Sequence, residues 1–254
     1  MTERDTASVL GVAVDRLSMR GAISRVGSLI MREGREQQGY ETAHVVTANS
    51  EIIMMAKEQS DFAEILARAA LVVPDGIGVV WAARLLGDRL PERVAGIDLM
   101  DEVLAVCANR GWRPFFLGAA PGVAEEAVSA LKQRFPGLQI AGVHHGYFDA
   151  TEEAAVLEMI TLASPDLLLV AMGAPRQEYW IARHRAELRV PVAVGVGGSL
   201  DVWAGRSSRA PGWMREIGLE WAYRLMRQPR RLLRMTALPR FAMTVLWHRW
   251  SGKP

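Results

Sequence analysis

Short apolar runs alternate along this chain with longer stretches in which apolar residues recur every three or four positions. The short runs predict strands at His44–Val46, Ala70–Val73, Pro114–Leu117, Leu138–Val143, Asp166–Met172 and Pro191–Val196, with a further N-terminal strand at Val9–Val14. The longer stretches predict helices at Glu51–Ala69, Ile77–Leu86, Asp98–Asn109, Val123–Phe135, Thr151–Ala163 and Gln177–Glu187. Elements that alternate at this spacing form βαβ units, so we expect an α/β fold with a Rossmann-like, mostly parallel sheet and flanking helices.

The charge of the chain changes near residue 205. Residues 206–254 contain 11 Lys and Arg against 2 acidic residues, a net charge of +9, whereas residues 1–205 contain 19 against 26, a net charge of −7. We therefore divide the chain into an α/β core, residues 1–205, and a basic, Trp-rich, helical C-terminal appendage, residues 206–254. Such a composition suits an anionic membrane surface or a lipid-linked phosphate. A terminal helix packed on the body with a solvated basic face has the same composition.

The appendage is expected to form three helical pieces, at residues 213–228, 230–238 and 240–251, separated by Pro229 and Pro239. No run reaches the roughly 18 apolar residues that span a bilayer, and the charged N-terminus lacks a signal-peptide core. The single cysteine, Cys107, fits a reducing compartment and is interpreted as a small buried residue. We expect a cytoplasmic protein whose membrane contact is peripheral.

Glycine and polar residues follow six of the predicted strands, where ligands of open α/β sheets bind. These exits are Thr47–Asn49, Pro74–Gly76, Gly118–Gly122, Gly146–Phe148, Gly173–Gln177 and Gly197–Asp201. Glycine lets backbone amides approach a ligand, and helix N-termini favour anions, so we expect one crevice suited to a nucleotide diphosphate. The candidate substrate-binding residues at these exits are Gly118, Gly146, Tyr147, Phe148, Gly173 and Gly197. Turns between strands and helices need glycine in any case, so each cluster also has a purely structural interpretation.

Several familiar catalytic motifs are missing from the sequence. It contains no GxxxxGK[ST], no GxGxxG after the first strand, and no GxSxG, HExxH or CxxC. It also contains no Asp-x-Asp, the pair with which many nucleotide-sugar transferases hold a divalent metal. We expect neither a metal site nor a cofactor. If the substrate is a nucleotide sugar, we expect arginines, lysines and amide dipoles to neutralise its leaving diphosphate.

Asp75 is the strongest candidate for a catalytic carboxylate. It leaves an apolar strand between Pro74 and Gly76, so its side chain can face the crevice and take a proton from an attacking hydroxyl. The alternative is that Asp75 is the N-cap of the helix from Ile77. Thr47 and Asn49 leave a second strand and can bind a sugar or Asp75, although Asn49 or the next serine can equally cap a helix.

Two further polar residues follow glycines at later exits. Gln177 opens a helix after Gly173 and can bind a sugar hydroxyl or the base. Asp201 follows the double glycine of the last exit and can accept hydrogen bonds from a base or a ribose.

Nine motifs in one order resemble the WecG/TagA/CpsF family of bacterial glycosyltransferases, over about Val9 to Arg234. They are TANSE (47–51), VVPDGIGVVWAARLLG (72–87), ERVAGIDL (92–99), FFLGAAPGV (115–123), HGYF (145–148), LLVAMGAPRQEYW (168–180), GVGGSLDVWAG (195–205), RAP (209–211) and LEWAYRLMRQPRRLLR (219–234). Relatives often have Lys where this chain has Arg176, and Pro where it has Ser50.

The resemblance implies an inverting, metal-independent transfer of a sugar, typically of the N-acetylmannosamine type, from a UDP-sugar to a sugar on polyprenyl diphosphate at the cytoplasmic membrane face. It assigns the base to Asp75, places Thr47 and Asn49 beside it, and puts Asp201 near the nucleotide. It also adds Arg93 and Gln177 to the site. The resemblance further assigns phosphate-facing roles in the appendage to Arg224, Arg231 and Arg234.

Other functions stay open at this point. The donor can instead be UDP-glucose or a UDP-uronic acid in exopolysaccharide synthesis, or the protein can bind a nucleotide without catalysis. Nucleic acid is not an expected partner, because the basic residues of the appendage are interleaved with Leu, Met and Trp and the core is acidic. The expected partners are the UDP-sugar, the lipid-linked acceptor and an anionic membrane, with homo-oligomerisation left open.

Overall fold

The computed structural model describes residues 4–34, 37–216, 219–227 and 237–251. Its strands are β1 (Thr6–Val9), β2 (Val12–Asp15), β3 (Ala43–Ala48), β4 (Leu71–Pro74), β5 (Pro114–Gly118), β6 (Gly142–His144), β7 (Leu167–Ala171) and β8 (Val192–Gly195). Its helices are α1 (Met19–Ile30), α2 (Ser50–Glu58), α3 (Ser60–Ala67), α4 (Ile77–Leu85), α5 (Gly96–Arg110), α6 (Val123–Arg134), α7 (Glu153–Ala163), α8 (Arg176–His184), α9 (Ser199–Trp203), α10 (Gly212–Glu216), α11 (Glu220–Arg227) and α12 (Ala237–Ser251).

The main sheet has six strands in the order β4-β3-β8-β7-β5-β6, and every neighbouring pair is parallel. The expected α/β fold with flanking helices is therefore confirmed. Ala48 of β3 lies opposite Pro74 of β4, so the residues after these two strands leave the sheet side by side. This register brings the Thr47–Asn49 and Pro74–Gly76 exits together.

Helices cover both faces of this sheet, which explains why its strands are apolar at consecutive positions. Alternate residues of each strand belong to different apolar clusters: Val45 packs with α1, α5 and α6, whereas Val46 packs with the β1–β2 hairpin and α2–α4. Beneath β5, β7 and β8, the second face is completed by α7 and α8 through Ile160 and Trp180. The carboxyl ends of four strands of the sheet line a pocket, which is described below.

The N-terminal segment differs from the single strand predicted at Val9–Val14. It forms an antiparallel hairpin in which Val9 pairs with Val12. Leu10 and Gly11 make the turn with φ angles of 52° and 90°, as a two-residue hairpin turn requires. The apolar run hid this turn because Leu10, a residue that rarely adopts positive φ, occupies it.

Three other elements depart from the predictions. The helix expected over Glu51–Ala69 is two helices, because Gln59 is extended between α2 and α3. The strand expected over Leu138–Val143 is shorter and lies later in the chain, because only β6 (Gly142–His144) pairs with β5. Helix α1, which was not predicted, begins at the N-cap Ser18, whose side chain accepts a hydrogen bond from the amide of Gly21.

The described part of the appendage is helical, as expected, but its pieces have other bounds. The piece predicted at 213–228 corresponds to α10 and α11, and most of the piece predicted at 230–238 lies outside the described residues. Pro239 does not separate two helices but lies in the first turn of α12, where proline is tolerated. Phe241 and Val245 of α12 are buried in the cluster formed by α2–α4.

Candidate active site

A pocket of about 330 Å³ lies over the carboxyl ends of β4, β3, β8 and β7, four adjacent strands. Its volume is within the range of small-molecule sites. The residues that line it come from these strand exits, from the start of α5 and from the appendage: Thr47, Asn49, Ser50, Glu51, Ile52, Asp75, Gly76, Ile77, Gly78, Arg93, Ala95, Gly96, Ile97, Gly173, Ala174, Gln177, Val196, Gly197, Gly198, Ser199, Val202, Glu220, Trp221, Ala237 and Leu238.

Asp75 lies in the pocket wall and is held by its backbone and its side chain. Its amide donates to the carbonyl of Ala48 over 2.8 Å, which ties it to the end of β3. Its Oδ1 accepts a 2.7 Å hydrogen bond from the amide of Gly96, the first residue of α5. The N-cap of α4 is Gly76, without a side-chain cap bond, so the alternative that Asp75 caps this helix is wrong. Asp75 satisfies an N-terminal amide of the more distant α5 instead.

Thr47 and Asn49 line the same pocket from the end of β3. The hydroxyl of Thr47 donates to the carbonyl of Gly195 over 3.4 Å, which orients the side chain across the gap to β8. The side chain of Asn49 accepts from the amide of Ile52 over 3.0 Å and is the N-cap of α2. The capping alternative for Asn49 is therefore confirmed, and the residue still contributes to the pocket wall.

Gln177 connects the loops that follow β7 and β8. Its Oε1 accepts from the amides of Gly173 (3.1 Å) and Gly197 (3.0 Å), and its Nε2 donates to Oε1 of Glu178 over 2.8 Å. Both side chains are buried, and burial raises the pKa of the Glu178 carboxyl, although the hydrogen bond from Gln177 acts in the opposite direction. A larger residue than glycine would not fit at position 195, because its Cβ would lie 2.5 Å from Nε2 of Gln177.

Arg93 joins the Asp75 loop to the appendage. Its Nε donates to the backbone carbonyl of Asp75 over 2.6 Å, and its Nη2 donates to Oε2 of Glu220 over 2.8 Å. Its Nη1 donates to the carbonyl of Arg215 over 3.4 Å. The guanidinium therefore bridges the proposed base, α10 and α11 in the wall of one pocket.

A second ion pair anchors the start of α5 to the appendage. Arg209 binds both carboxylate oxygens of Asp98, at 2.5 and 3.0 Å. Partial burial acts to raise the pKa of Asp98, but the hydrogen bond and charge of Arg209, together with the charges of Arg215 and Arg93, hold that pKa below its usual range. Asp98 is thus an anion surrounded by arginines beside the helix turn that binds Asp75.

The matching family profile, described as "Glycosyl transferase WecG/TagA/CpsF family", extends over residues 7–254. The chain belongs to this family. Among curated WecG/TagA/CpsF relatives, a Bacillus spizizenii protein is 41% identical over 84% of this chain and 82% of its own length. A Staphylococcus aureus (strain MW2) protein is 37% identical over 92% of this chain and 89% of its own length. Both are named N-acetylglucosaminyldiphosphoundecaprenol N-acetyl-beta-D-mannosaminyltransferase.

In this WecG/TagA/CpsF chain, the six strand exits do not form one crevice. The exits of β5 and β6 contribute nothing to the pocket lining, because these two strands lie at one edge of the sheet beyond β7. Gly118 and Gly146 are buried against each other, and a Cβ on Gly118 would lie 2.4 Å from the carbonyl oxygen of Ala171. Tyr147 is exposed, and Phe148 packs against the cluster under α7 and α8.

The other predicted substrate-binding residues have mixed outcomes. Gly173 and Gly197 line the pocket, but their amides bind Gln177 rather than facing a ligand. Asp201 lies in the first turn of α9 and is not among the lining residues. Arg224 belongs to α11, with its side chain outside the described set, and both Arg231 and Arg234 lie outside the described residues.

Sequence reasoning missed Gly96, Glu178 and Glu220. Glu220 had a detectable signal, since it is one of two acidic residues in the appendage. Glu178 follows Gln177 in the first turn of α8, and its burial could not be read from the sequence. Within the described ranges, no three His, Cys, Asp or Glu side chains group as a metal site, and no described helix is long and apolar enough to cross a bilayer.

Proposed function

We propose that this protein transfers an N-acetylmannosaminyl group from a UDP-sugar to a hydroxyl of N-acetylglucosamine on polyprenyl diphosphate, with inversion and without a metal ion. The observation that carries this proposal is the pocket in which Asp75, Thr47, Arg93 and Gln177 stand together at the carboxyl edge of the sheet. The names of the relatives support this donor sugar and this acceptor. The product would serve the assembly of a cell-envelope polysaccharide or teichoic acid.

Asp75 acts as the general base in this proposal. The acceptor oxygen attacks the anomeric carbon from the face opposite UDP, and its proton passes to the carboxylate of Asp75. The new carbon–oxygen bond forms as the bond to the β-phosphate oxygen breaks, and the electron pair of that bond leaves with UDP. Direct displacement inverts the anomeric configuration and needs only one carboxylate as the base, the role proposed here for Asp75.

Arginines stabilise the leaving diphosphate. Arg93 is held by Asp75 and Glu220 at the pocket wall, so its charge is positioned before the substrate binds. Donors preorganised around a developing charge act mainly in the transition state. Arg224, Arg231 and Arg234 are proposed to add to this positive field from the appendage.

Helix α12 supports a peripheral position on an anionic membrane at the cytoplasmic face. Phe241 and Val245 fix one side of α12 to the core, while Met243, Trp247 and Trp250 are exposed on the opposite side, at the spacing of one helical stripe. Tryptophan favours the boundary between water and lipid, and basic residues favour anionic headgroups. We infer that this stripe lies in the interface and holds the pocket near the lipid-linked acceptor.

The test is a transfer assay with the full chain and a short-chain polyprenyl-diphosphate-linked N-acetylglucosamine. UDP-N-acetylmannosamine, UDP-N-acetylglucosamine, UDP-glucose and a UDP-uronic acid are compared as donors, each with and without a chelator. We expect transfer from UDP-N-acetylmannosamine, a β-linked product by NMR, and rates unchanged by chelation. A preference for UDP-glucose or a UDP-uronic acid would overturn the donor assignment. UDP binding without transfer from any donor would instead identify a nucleotide-binding module, and loss on chelation would contradict the metal-free mechanism.

A further inference from the structure

Glu220 is the link between the appendage and the loop that carries Asp75. It is the first residue of α11, and its Oε2 accepts the 2.8 Å hydrogen bond from Arg93. The same guanidinium donates to the carbonyl of Asp75 over 2.6 Å. One arginine therefore connects a carboxylate of the appendage to the backbone of the proposed base.

The burial of this pair makes the contact specific. Glu220 is 6% exposed, and the side chain of Arg93 is 21% exposed. A carboxylate that has lost most of its water is stable only when it is paired, and a misplaced partner is costly. The position of Glu220 at a helix N-terminus also favours its negative charge. The docked position of α11 therefore fixes one of the three contacts that hold the Arg93 guanidinium.

The neighbouring contacts carry this constraint to the reacting carboxylate. The backbone of Asp75 is held by Ala48 and Arg93, and its Oδ1 is held by the amide of Gly96. Arg93 binds the carbonyl of Asp75, and Gly96, three residues later, binds its carboxylate. A shift of Arg93 therefore disturbs both contacts. Trp221, the next residue of α11, lines the pocket, so the same docking also completes the pocket wall.

We propose that Glu220 is a positioning residue, which acts through Arg93 to fix Asp75 when α11 is docked. This inference rests on the proposed function, in which Asp75 is the base. Glu220 itself does not take the proton. Its effect is on the rate of the chemical step, because a base displaced by a fraction of an ångström loses rate rather than donor affinity.

The experiment compares E220Q with E58Q in the full chain. Glu58 of α2 pairs with Arg240 of α12 over 2.7 Å, so E58Q makes the same chemical change in another ion pair between the core and the appendage. We expect E220Q to lower kcat about tenfold or more, with KM for the UDP-sugar and Kd for UDP within about twofold of wild type. E58Q should keep the wild-type kcat. Wild-type kcat from E220Q, or an equal loss from E58Q, would overturn the proposal.

A double-mutant cycle tests whether the effect passes through Arg93. If it does, R93A and R93A/E220Q have the same kcat, whereas a further loss in the double variant shows an independent role and overturns the proposal. Amide hydrogen exchange gives a readout that does not depend on turnover. We expect faster exchange over residues 93–97 in E220Q but not in E58Q. Because exchange needs no substrate, this measurement tests the Glu220 contact even if the proposed donor or acceptor is wrong. Unchanged exchange over these residues would contradict the positioning role.

Discussion

The amide of Gly96 donates a 2.7 Å hydrogen bond to Oδ1 of Asp75, so the carboxylate that follows β4 is held by the first turn of α5. The carboxylate therefore satisfies an N-terminal amide of α5 rather than capping α4, and it also lies in the pocket wall. A helix N-terminus is a favourable place for a negative charge. The hydrogen bond from Gly96 thus orients the side chain that the proposed mechanism uses as a base.

We expect Gly96→Ala to lower activity by about tenfold or more. A Cβ at this position would lie 2.9 Å from Cγ2 of Thr47, so either Thr47 or the start of α5 must move. Movement of α5 would disturb the hydrogen bond from the amide of Gly96 to Asp75. The second change T47S removes that methyl group and keeps the hydroxyl. G96A/T47S should therefore recover part of the lost kcat, by a coupling of about 0.5–3 kcal/mol. Strictly additive effects of the two changes would contradict the steric explanation.

We expect Asp75→Asn to lower kcat by about 10²- to 10⁴-fold while UDP binding is retained. Asparagine can still accept the hydrogen bond from Gly96, so the loop keeps its support while the proton acceptor is lost. D149N, at an exposed aspartate in the loop before α7, is the matched control and should leave kcat unchanged. A D75N protein that turns over at the wild-type rate would remove Asp75 as the base.

We expect Glu178→Gln to stabilise the protein at alkaline pH. Burial raises the pKa of Glu178 in the folded state, so the unfolded chain loses this proton first as the pH rises. The contribution of the protonated carboxyl is therefore fully present below the unfolded pKa and is lost as the pH rises through the folded pKa. Thermal melts at about pH 4 and about pH 8 should show a Tm gain for E178Q only at the higher pH. E158Q, at an exposed glutamate of α7, controls for the loss of charge, and an equal gain from it would refute this assignment.

We expect the double change W247A/W250A to weaken binding to anionic vesicles by at least about tenfold. Burying a large apolar side chain contributes roughly 1.5–3 kcal/mol, and each 1.4 kcal/mol is a factor of ten in affinity. L162A removes an equally exposed apolar side chain from α7 and should bind like wild type. Co-sedimentation with vesicles of stated anionic lipid content measures both. Equal binding by the two variants would show that α12 is not the docking element.

The strands and most helices could be predicted because their patterns are local. Runs such as 167–171 are apolar at consecutive positions, and the structure buries them on both faces. Strand order is a long-range property, so the sequence could not show that β5 and β6 lie away from the pocket. This is why Gly118 and Phe148 were grouped with a crevice that they do not line.

The site itself was predicted in part. Asp75, Thr47 and Arg93 lie together in the pocket, as the resemblance implied. The partners that hold them were not predicted, since the pairing of Arg93 with Glu220 joins residues 127 positions apart. Gln177 lines the pocket, as expected, but the bonds from two loop amides to its side-chain oxygen join distant residues, and no local pattern specifies them.

The β1–β2 hairpin and α12 share one apolar cluster, although they lie at opposite ends of the described chain. Val9 of the hairpin and Phe241 of α12 both pack around the cluster that contains α4. Contacts between such distant residues require the whole intervening chain to be closed into a loop, which costs conformational entropy before any contact forms. The docking of α12 on this cluster should therefore be among the last steps of folding.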